Sequence, residues 1–316
     1  MLVEVLAALS LQFGETAADG TLGSAGHALH IAERIGATGR LLGLDRDPEM
    51  LRVGGGRLRE ALGEDGPEVR LFARPYEEIG AALAEAGWGG ADAVMLDLGI
   101  NSLQLEDPER GFSFSKDGPL EGLFNAAEGI QTVGELVNSA SEAELTRILR
   151  DYADERLARP IARRIVNHRA TKPLRRTSEL AALVASVYPP AERHGRIHPA
   201  TRAFQALRIA ANDEMGAVER GVRACMECLA PLGRLAVIGF HSTELRIVKG
   251  LFREATAPRP DPSNPYSATT TEGVTFEEVF HGSIECGEEE AARNPRARSA
   301  KLRAIRRKEA GDVGIR

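Results

Sequence analysis

Apolar positions in the first hundred residues form short runs that are bounded by glycine and alternate with helix-length stretches. This is the pattern of a parallel sheet covered on both faces. The opening MLVEVLAAL predicts an amphipathic helix. Glu15 to Asp19 predict a first strand, followed by the turn GTLGSAGHA and a helix through Ile35. RLLGLD predicts a second strand, and DPEMLRVGGGRLREAL a helix in which Asp47 and Pro48 suit the cap and first-turn positions. VRLFAR, EEIGAALAEAG and ADAVMLDLG continue as strand, helix and strand. The fold class expected is α/β, with a doubly wound, mostly parallel sheet.

The alternation then stops. Residues 101–119 are rich in polar and turn residues, and from Val133 to Asp213 the pattern is helical, broken at KPLRRTS and YPPAERHGRIHP. Leu145, Ile148, Leu149 and Tyr152 fall at helical spacing, and Ser141 with Glu144 predicts a capping box. Strand signals return at GRLAVIGF, GVTFEEVF and SAKLRAIRR, which can complete the sheet. The chain therefore divides into residues 1–105, an inserted all-helical domain at 106–213 for RNA or substrate recognition, and residues 214–316, which finish the first domain. Residues 255–272, with four prolines, predict a surface loop.

Composition narrows the function. At 316 residues the chain buries a core without disulfide or metal staples. Cys225, Cys228 and Cys286 fit a reducing compartment, and C-M-E-C within a helical stretch reads as buried thiols, so no metal is expected. No apolar run reaches the ~20 residues of a membrane span, so no membrane is expected as partner. The net charge of −6 is unevenly spread: Leu145 to Asn212 hold 14 Lys or Arg against 5 Asp or Glu, and Arg293 to Lys308 hold eight basic residues and no acidic one. Two basic segments on an acidic body fit a nucleic-acid partner.

Ligands of open α/β sheets sit at the carboxyl ends of the strands, near the reversal of strand order. The segment from Asp19 to His27 follows the first strand, and its glycines let the backbone approach a ligand. Asp45 ends the second strand, where a carboxylate can accept both hydrogen bonds of a ribose diol. Tyr76 follows the third strand, with a ring suited to adenine, and Asp97 ends the fourth. The turn is not G-x-G-x-x-G, which disfavours NAD, and no G-x-x-x-x-G-K-[ST] is present.

The ordered motifs D-G-T-L-G-S-A-G-H at 19–27, L-D-R-D-P at 44–48, L-D-L-G-I-N-S-L-Q-L at 96–105 and P-E-R-G-F-S-F-S-K-D-G-P-L at 108–120 carry a resemblance. So do I-H-P-A-T-R-A-F-Q-A-L-R-I at 197–209, G-R-L-A-V-I-G-F-H-S at 233–242 and N-P-R-A-R-S-A-K-L-R at 294–303. From about Val3 to Arg306 the chain resembles the RsmH (MraW) family of 16S ribosomal RNA cytosine-N4 methyltransferases and their mitochondrial relatives.

The resemblance implies a class I S-adenosylmethionine-dependent methyltransferase fold with a helical insertion, and S-adenosylmethionine as cofactor. The family's cofactor contacts fall on Ala25, Gly26, His27, Asp45, Tyr76, Asp97 and Gln104, with Tyr76 where the family usually has Phe. The cytosine N4 lone pair is delocalised into the ring, so rate comes chiefly from positioning the amine. Asp97, Asn101 and Ser102 are the expected catalytic residues, although loop-shaping hydrogen bonds account equally well for Asn101 and Ser102. His198 and His241 read as structural. Arg202, Gln205 and Arg208 are spaced to face RNA or the site; Arg202, Arg208, Arg296, Arg298 and Lys301 are the expected RNA contacts.

The chain departs from the family at several places. Ala25 replaces a glycine and is expected to remove room beside the cofactor. Glu121-Gly122-Leu123-Phe124-Asn125 replaces D-M-R-M-D, Leu245 replaces an Asp, and the usual H-x-P-V start is missing. Two functions follow: methylation of a cytidine in small-subunit ribosomal RNA, or a catalytically weakened relative that binds this RNA in assembly of the small subunit. A small-molecule methyltransferase is disfavoured by the basic segments. The expected partner is small-subunit ribosomal RNA or the immature small subunit, with a homodimer or assembly-factor partners left open. The expected compartment is the cytoplasm, with the mitochondrial matrix as alternative.

Overall fold

The computed structural model describes residues 1–193, 195, 198–258 and 274–309, without the side chains of Glu289, Arg293, Pro295 and Arg296. The expected loop at 255–272 thus lies almost wholly outside the described residues. The chain forms two compact units, one of residues 1–99 with 215–316, the other of residues 100–214. These divisions fall at 99/100 and 214/215.

In the first unit the order is α1 (Leu2–Leu9), β1 (Thr16–Asp19), α2 (Gly26–Ile35), β2 (Arg40–Leu44), α3 (Pro48–Leu62), β3 (Glu68–Phe72), α4 (Ile79–Glu85) and β4 (Ala91–Asp97). The second unit contributes α5 (Ser102–Glu106), α6 (Val133–Ser139), α7 (Glu142–Ala153), α8 (Ala158–Arg169), α9 (Thr177–Val187) and α10 (Ala200–Ala211). The first unit then resumes with α11 (Glu214–Cys228), β5 (Leu229–Gly239), α12 (Ser242–Thr256), β6 (Phe276–Glu278), β7 (Ile284–Glu285), α13 (Glu288–Arg293) and β8 (Lys301–Arg307).

The sheet runs β3-β2-β1-β4-β5-β8-β6, with β7 also on β8. The first five strands are parallel; β8 runs antiparallel to β5, and β6 and β7 pair antiparallel with β8. Strand side chains alternate between the two faces, and both are covered. Ala18, Leu42, Leu44, Val94, Leu96, Leu235 and Val237 pack with α4, α11 and α12. Ala17, Leu41, Ala93, Met95, Ala236 and Ile238 pack with α1, α2 and α3. That double burial is why the strands read as apolar runs, and the doubly wound, mostly parallel α/β fold is the one expected.

Strand order reverses between β1 and β4, so the carboxyl ends of these neighbours, Asp19 and Asp97, mark the switch point. Asp47 caps α3, accepting from the Glu49 amide at 3.0 Å, with Pro48 in the first turn. The second unit is helical around Val137, Leu145, Ile148, Leu149, Ile161, Ile165, Leu180, Val184 and Leu207. Ser141 caps α7 by accepting from the Glu144 amide at 3.1 Å.

Candidate active site

The site is built on the turn after β1. The Asp19 carboxylate accepts from the Thr21 amide at 3.0 Å and the Thr21 hydroxyl at 3.3 Å. The same hydroxyl accepts from the Asp97 amide at 2.7 Å, which ties the end of β1 to the end of β4. Gly20 leaves the space: a Cβ there would lie 2.5 Å from Leu96 Cδ2 and 2.9 Å from Tyr76 Cβ. Asp45 is held from two sides, its Oδ2 accepting from the Gly23 amide at 2.8 Å and its Oδ1 from the Asp47 amide at 2.9 Å. A carboxylate oxygen can accept more than one hydrogen bond, so the two amides do not by themselves fill the acceptor.

Asp19 and Asp97 are unlike ordinary surface carboxylates. Asp19 is 2% exposed, and burial, against the opposing Thr21 hydrogen bonds, raises its pKa to about 7. Asp97 is raised to about 7 by burial and by the charge of Asp19. Its side chain is 34% exposed, but its Oδ1 is buried without a hydrogen-bond partner. His27 is driven the other way, to about 4, chiefly by burial. Its Nδ1 stands 3.7 Å from Asp97 Oδ2, beyond hydrogen-bond range, and at neutral pH the uncharged imidazole forms no ion pair with it.

The site thus offers a buried and a partly exposed carboxylate whose ionisation a bound cation would favour, an orphaned carboxylate oxygen, and a carboxylate braced by two backbone amides. Beside them, the Gly26 and His27 amides open the first turn of α2, and a Cβ on Gly26 would meet nothing within 4 Å. A sulfonium-bearing nucleoside with an amino-acid tail fits this donor and acceptor set.

Ala25 departs from expectation. It is fully buried in the core, its amide donates to Leu22 at 2.7 Å, and its carbonyl accepts from Leu29 at 3.1 Å. It offers a ligand neither methyl nor amide. Its φ of 61° lies in the left-handed region, so replacing glycine there costs backbone strain, not room. Tyr76, half-buried, lays its ring against α11, where a Cβ on Gly221 would fall 2.1 Å from two ring carbons.

Asn101, Ser102 and Gln104 belong to the second unit. Asn101 Oδ1 accepts from the Gln104 amide at 3.0 Å and Gln104 Oε1 from the Asn101 amide at 3.2 Å, a capping box that starts α5. The loop-shaping account of Asn101 therefore has a direct observation behind it, and buried Gln104 shares it. His198 also serves structure: its Nδ1 accepts from the Ala200 amide at 3.1 Å and its ring lies 4.7 Å from that of Phe114. Behind His241, buried Glu244 accepts from the amides of Phe240 and His241 at 2.9 and 3.1 Å.

The expected RNA contacts separate. Arg208 does not face solvent: it is 8% exposed and makes a two-pronged ion pair with buried Glu214 at 2.7 and 2.9 Å. A guanidinium without hydration needs such a partner, and Glu214 supplies it one turn beyond the helix end. Lys301 pairs with Glu285 at 2.7 Å, across the β7–β8 ladder. Arg202 is exposed, donating to the Asp154 carbonyl at 3.3 Å, and Arg298 is exposed on the turn Pro295–Ser299. The side chain of Arg296 lies outside the described residues.

The altered loop is packed in place: Leu123 is buried, Phe124 lies 5.3 Å from the ring of Phe112, and Asn212 bonds to Gly122 and Phe124 at 2.7 and 3.0 Å. Leu245 lies over the end of β5, 3.1 Å from where a Cβ on Gly239 would stand. Sequence reasoning missed Thr21 and underused Asp19; the D-x-T spacing after a strand was the available signal. Cys225 is buried on α11, and the Cys228 thiol, 3.3 Å from the Cys225 carbonyl, donates to it. Among the described residues no helix is long and apolar enough to cross a membrane.

A family model described as the MraW methylase family matches residues 1–308. Ribosomal RNA small subunit methyltransferase H of Geobacter sp. strain M21 is 44% identical over 302 residues, covering 96% of this chain and 95% of that protein. The protein of the same name from Heliobacterium modesticaldum is 44% identical over 291 residues and covers 90% of each. Both sources are bacterial, and the mitochondrial alternative gains no support from them. A solved rRNA methylase from Streptococcus thermophilus superposes with a TM-score of 0.40 at 9% identity, covering 98% of this chain and 92% of that one.

Proposed function

Because the chain belongs to the MraW methylase family, we propose that it transfers a methyl group from S-adenosylmethionine to the N4 amine of a cytidine in small-subunit ribosomal RNA, in the cytoplasm. The observation that carries this reading is the bridge at the switch point of the sheet, where the Thr21 hydroxyl donates to the buried Asp19 carboxylate and accepts from the Asp97 backbone amide. When bound, the cofactor supplies an electrophilic methyl on a sulfonium.

The chain's own residues do the rest. Asp45 holds the ribose diol, and the backbone at Gly26 and His27 receives the carboxylate of the amino-acid tail. Tyr76 walls the adenine side. Asp19 and Asp97 supply negative charge toward the cationic end, Asp19 from a buried position where water screens it least. Asp97 also has the character needed toward the amine. As the new N–C bond forms, the amine protons become acidic, and a carboxylate poised near neutrality can accept one. Asn101 and Ser102 shape the start of α5, and the exposed Arg202 and Arg298 meet RNA phosphates.

The test is incubation of the protein with labelled S-adenosylmethionine and immature small ribosomal particles, beside an Asp97→Ala control. Label is expected in N4-methylcytidine after digestion of the RNA. Transfer no greater than the control, with particle binding retained, would replace this reading by that of an assembly factor. That alternative is the weaker one, since relatives covering nearly the whole chain carry the methyltransferase name.

A further inference from the structure

The outer face of α8 is not used by the chemistry above. The helix turns Ala158, Ile161, Ala162 and Ile165 into the core of the second unit and leaves Arg159, Arg163, Arg164 and Asn167 exposed. No acidic residue lies within α8. Arg159 and Arg163, one turn apart, repel each other, which works against the helix.

Local compensation is thin. Glu142 is 3.5 Å from Arg163 and 3.9 Å from Arg159, one carboxylate shared by two guanidinium groups that are 58% and 74% exposed. Arg164 has no ion-pair partner among the described residues. With Pro160, and with Ser186 and Val187 at the end of α9, these side chains border an open cleft of about 600 Å³. A helix C-terminus would normally bring partial negative charge to such a cleft. Here Arg193 donates to the carbonyls of Tyr188 and Ser186 at 2.8 and 3.2 Å, which masks that charge and adds a positive one.

We propose that this cleft between α8 and α9 docks the phosphodiester backbone of the substrate RNA. The inference rests on the function proposed above and narrows the basic segment Leu145 to Asn212 to one contact region. Guanidinium forks match paired phosphate oxygens. Asn167 and Ser186 offer uncharged hydrogen-bonding groups to ribose. The apolar lining comes from Pro160 and Val187, with no aromatic residue of the kind that anchors protein partners.

The test is an Arg159→Ala/Arg163→Ala/Arg164→Ala variant of the full chain, titrated against a labelled unmodified small-subunit ribosomal RNA transcript between 50 and 200 mM salt. The affinity is expected to fall about tenfold or more, and the slope of log affinity against log salt to drop by about 2, as three lost phosphate contacts require. Cofactor affinity should be unchanged. Arg164→Ala alone, should the triple variant fold poorly, is expected to lower the slope by about 0.7–0.9. Wild-type binding with an unaltered slope in the variants overturns the cleft and leaves the methyltransferase reading standing. Failure of the wild type to bind the transcript overturns the cleft proposal, while the methyltransferase reading is decided separately by transfer to immature particles. A variant that loses only assembled particles, while binding the naked transcript normally, points to an acidic ribosomal protein and overturns the proposal.

Discussion

The two units use charge in opposite ways. In the first, the carboxylates at the ends of β1 and β4, one buried and one partly exposed, stand on strands tied by the Thr21 hydroxyl and are raised toward neutrality by desolvation. In the second, guanidinium groups stand in solvent along α8, with one carboxylate serving two of them. Buried charge is costly and therefore fixed in place, which suits an atom-specific reaction. Exposed charge is cheap, screened and tolerant of position, which suits a long polyanion. Binding a small cation and binding a large anion are thus separate physical problems, and the proposed function assigns them to separate parts of the chain.

That contrast can be broken most sharply at Asp97. Asp97→Asn is expected to lower methyl transfer by about 10²–10⁴-fold, the range for loss of a positioned proton acceptor, measured in single-turnover reactions. Binding of cofactor should follow pH in the same site. A cation favours the ionised carboxylates, so affinity should fall as pH drops below about 7, by up to about tenfold per pH unit for each proton taken up. Calorimetry across pH 5.5–8 checks this, and Asp97→Asn should flatten the curve.

Next in size is Thr21→Val, which leaves the Asp97 amide without its acceptor and is expected to cost about 1–3 kcal/mol of stability by denaturant unfolding. Stability of the cofactor-free protein moves with pH in the opposite sense at these two carboxylates. Between the ordinary carboxylate range and about 7, the native state binds more protons than the unfolded chain at Asp19 and Asp97, so their contribution falls as pH rises. His27 works oppositely: lowered to about 4, it binds fewer protons in the native state, and its contribution rises from pH 4 to 6.5. Asp97→Asn should therefore gain stability over wild type progressively up to pH 7 and hold that gain above it. The smallest effect is expected for Ala25→Gly: relief of a left-handed backbone is offset by the loss of a buried methyl, for a net change under about 1 kcal/mol. Cofactor affinity should not move.

Much of this was legible before the fold was known. Glycine-bounded apolar runs located the strands, because double burial leaves few polar positions in them. Asp45 and Asp97 followed from strand ends. Thr21 did not, since its value depends on β1 lying next to β4, a neighbour distant in sequence. The strain at Ala25 is a backbone angle, invisible in residue type. Arg208 shares helical spacing with Arg202, yet spacing says nothing of Glu214, which turns one outward-seeming arginine into a buried ion pair. The insertion of β8 between β5 and β6 was also beyond the periodicity, which marks strands and not their order.

The interruption of the first unit by residues 100–214 has a consequence for how the chain comes to be folded. β4 and β5 are partners in the sheet, but the ribosome delivers them more than a hundred residues apart. Pairing them across an unfolded intervening chain carries a closure entropy of about 4 kcal/mol. The helical unit is stabilised by contacts within its own sequence, the kind that form fastest. During synthesis β1 to β4 leave the ribosome first, with the edge of β4 still lacking its partner. The helices then gather, and only afterwards does β5 arrive to close the edge of β4.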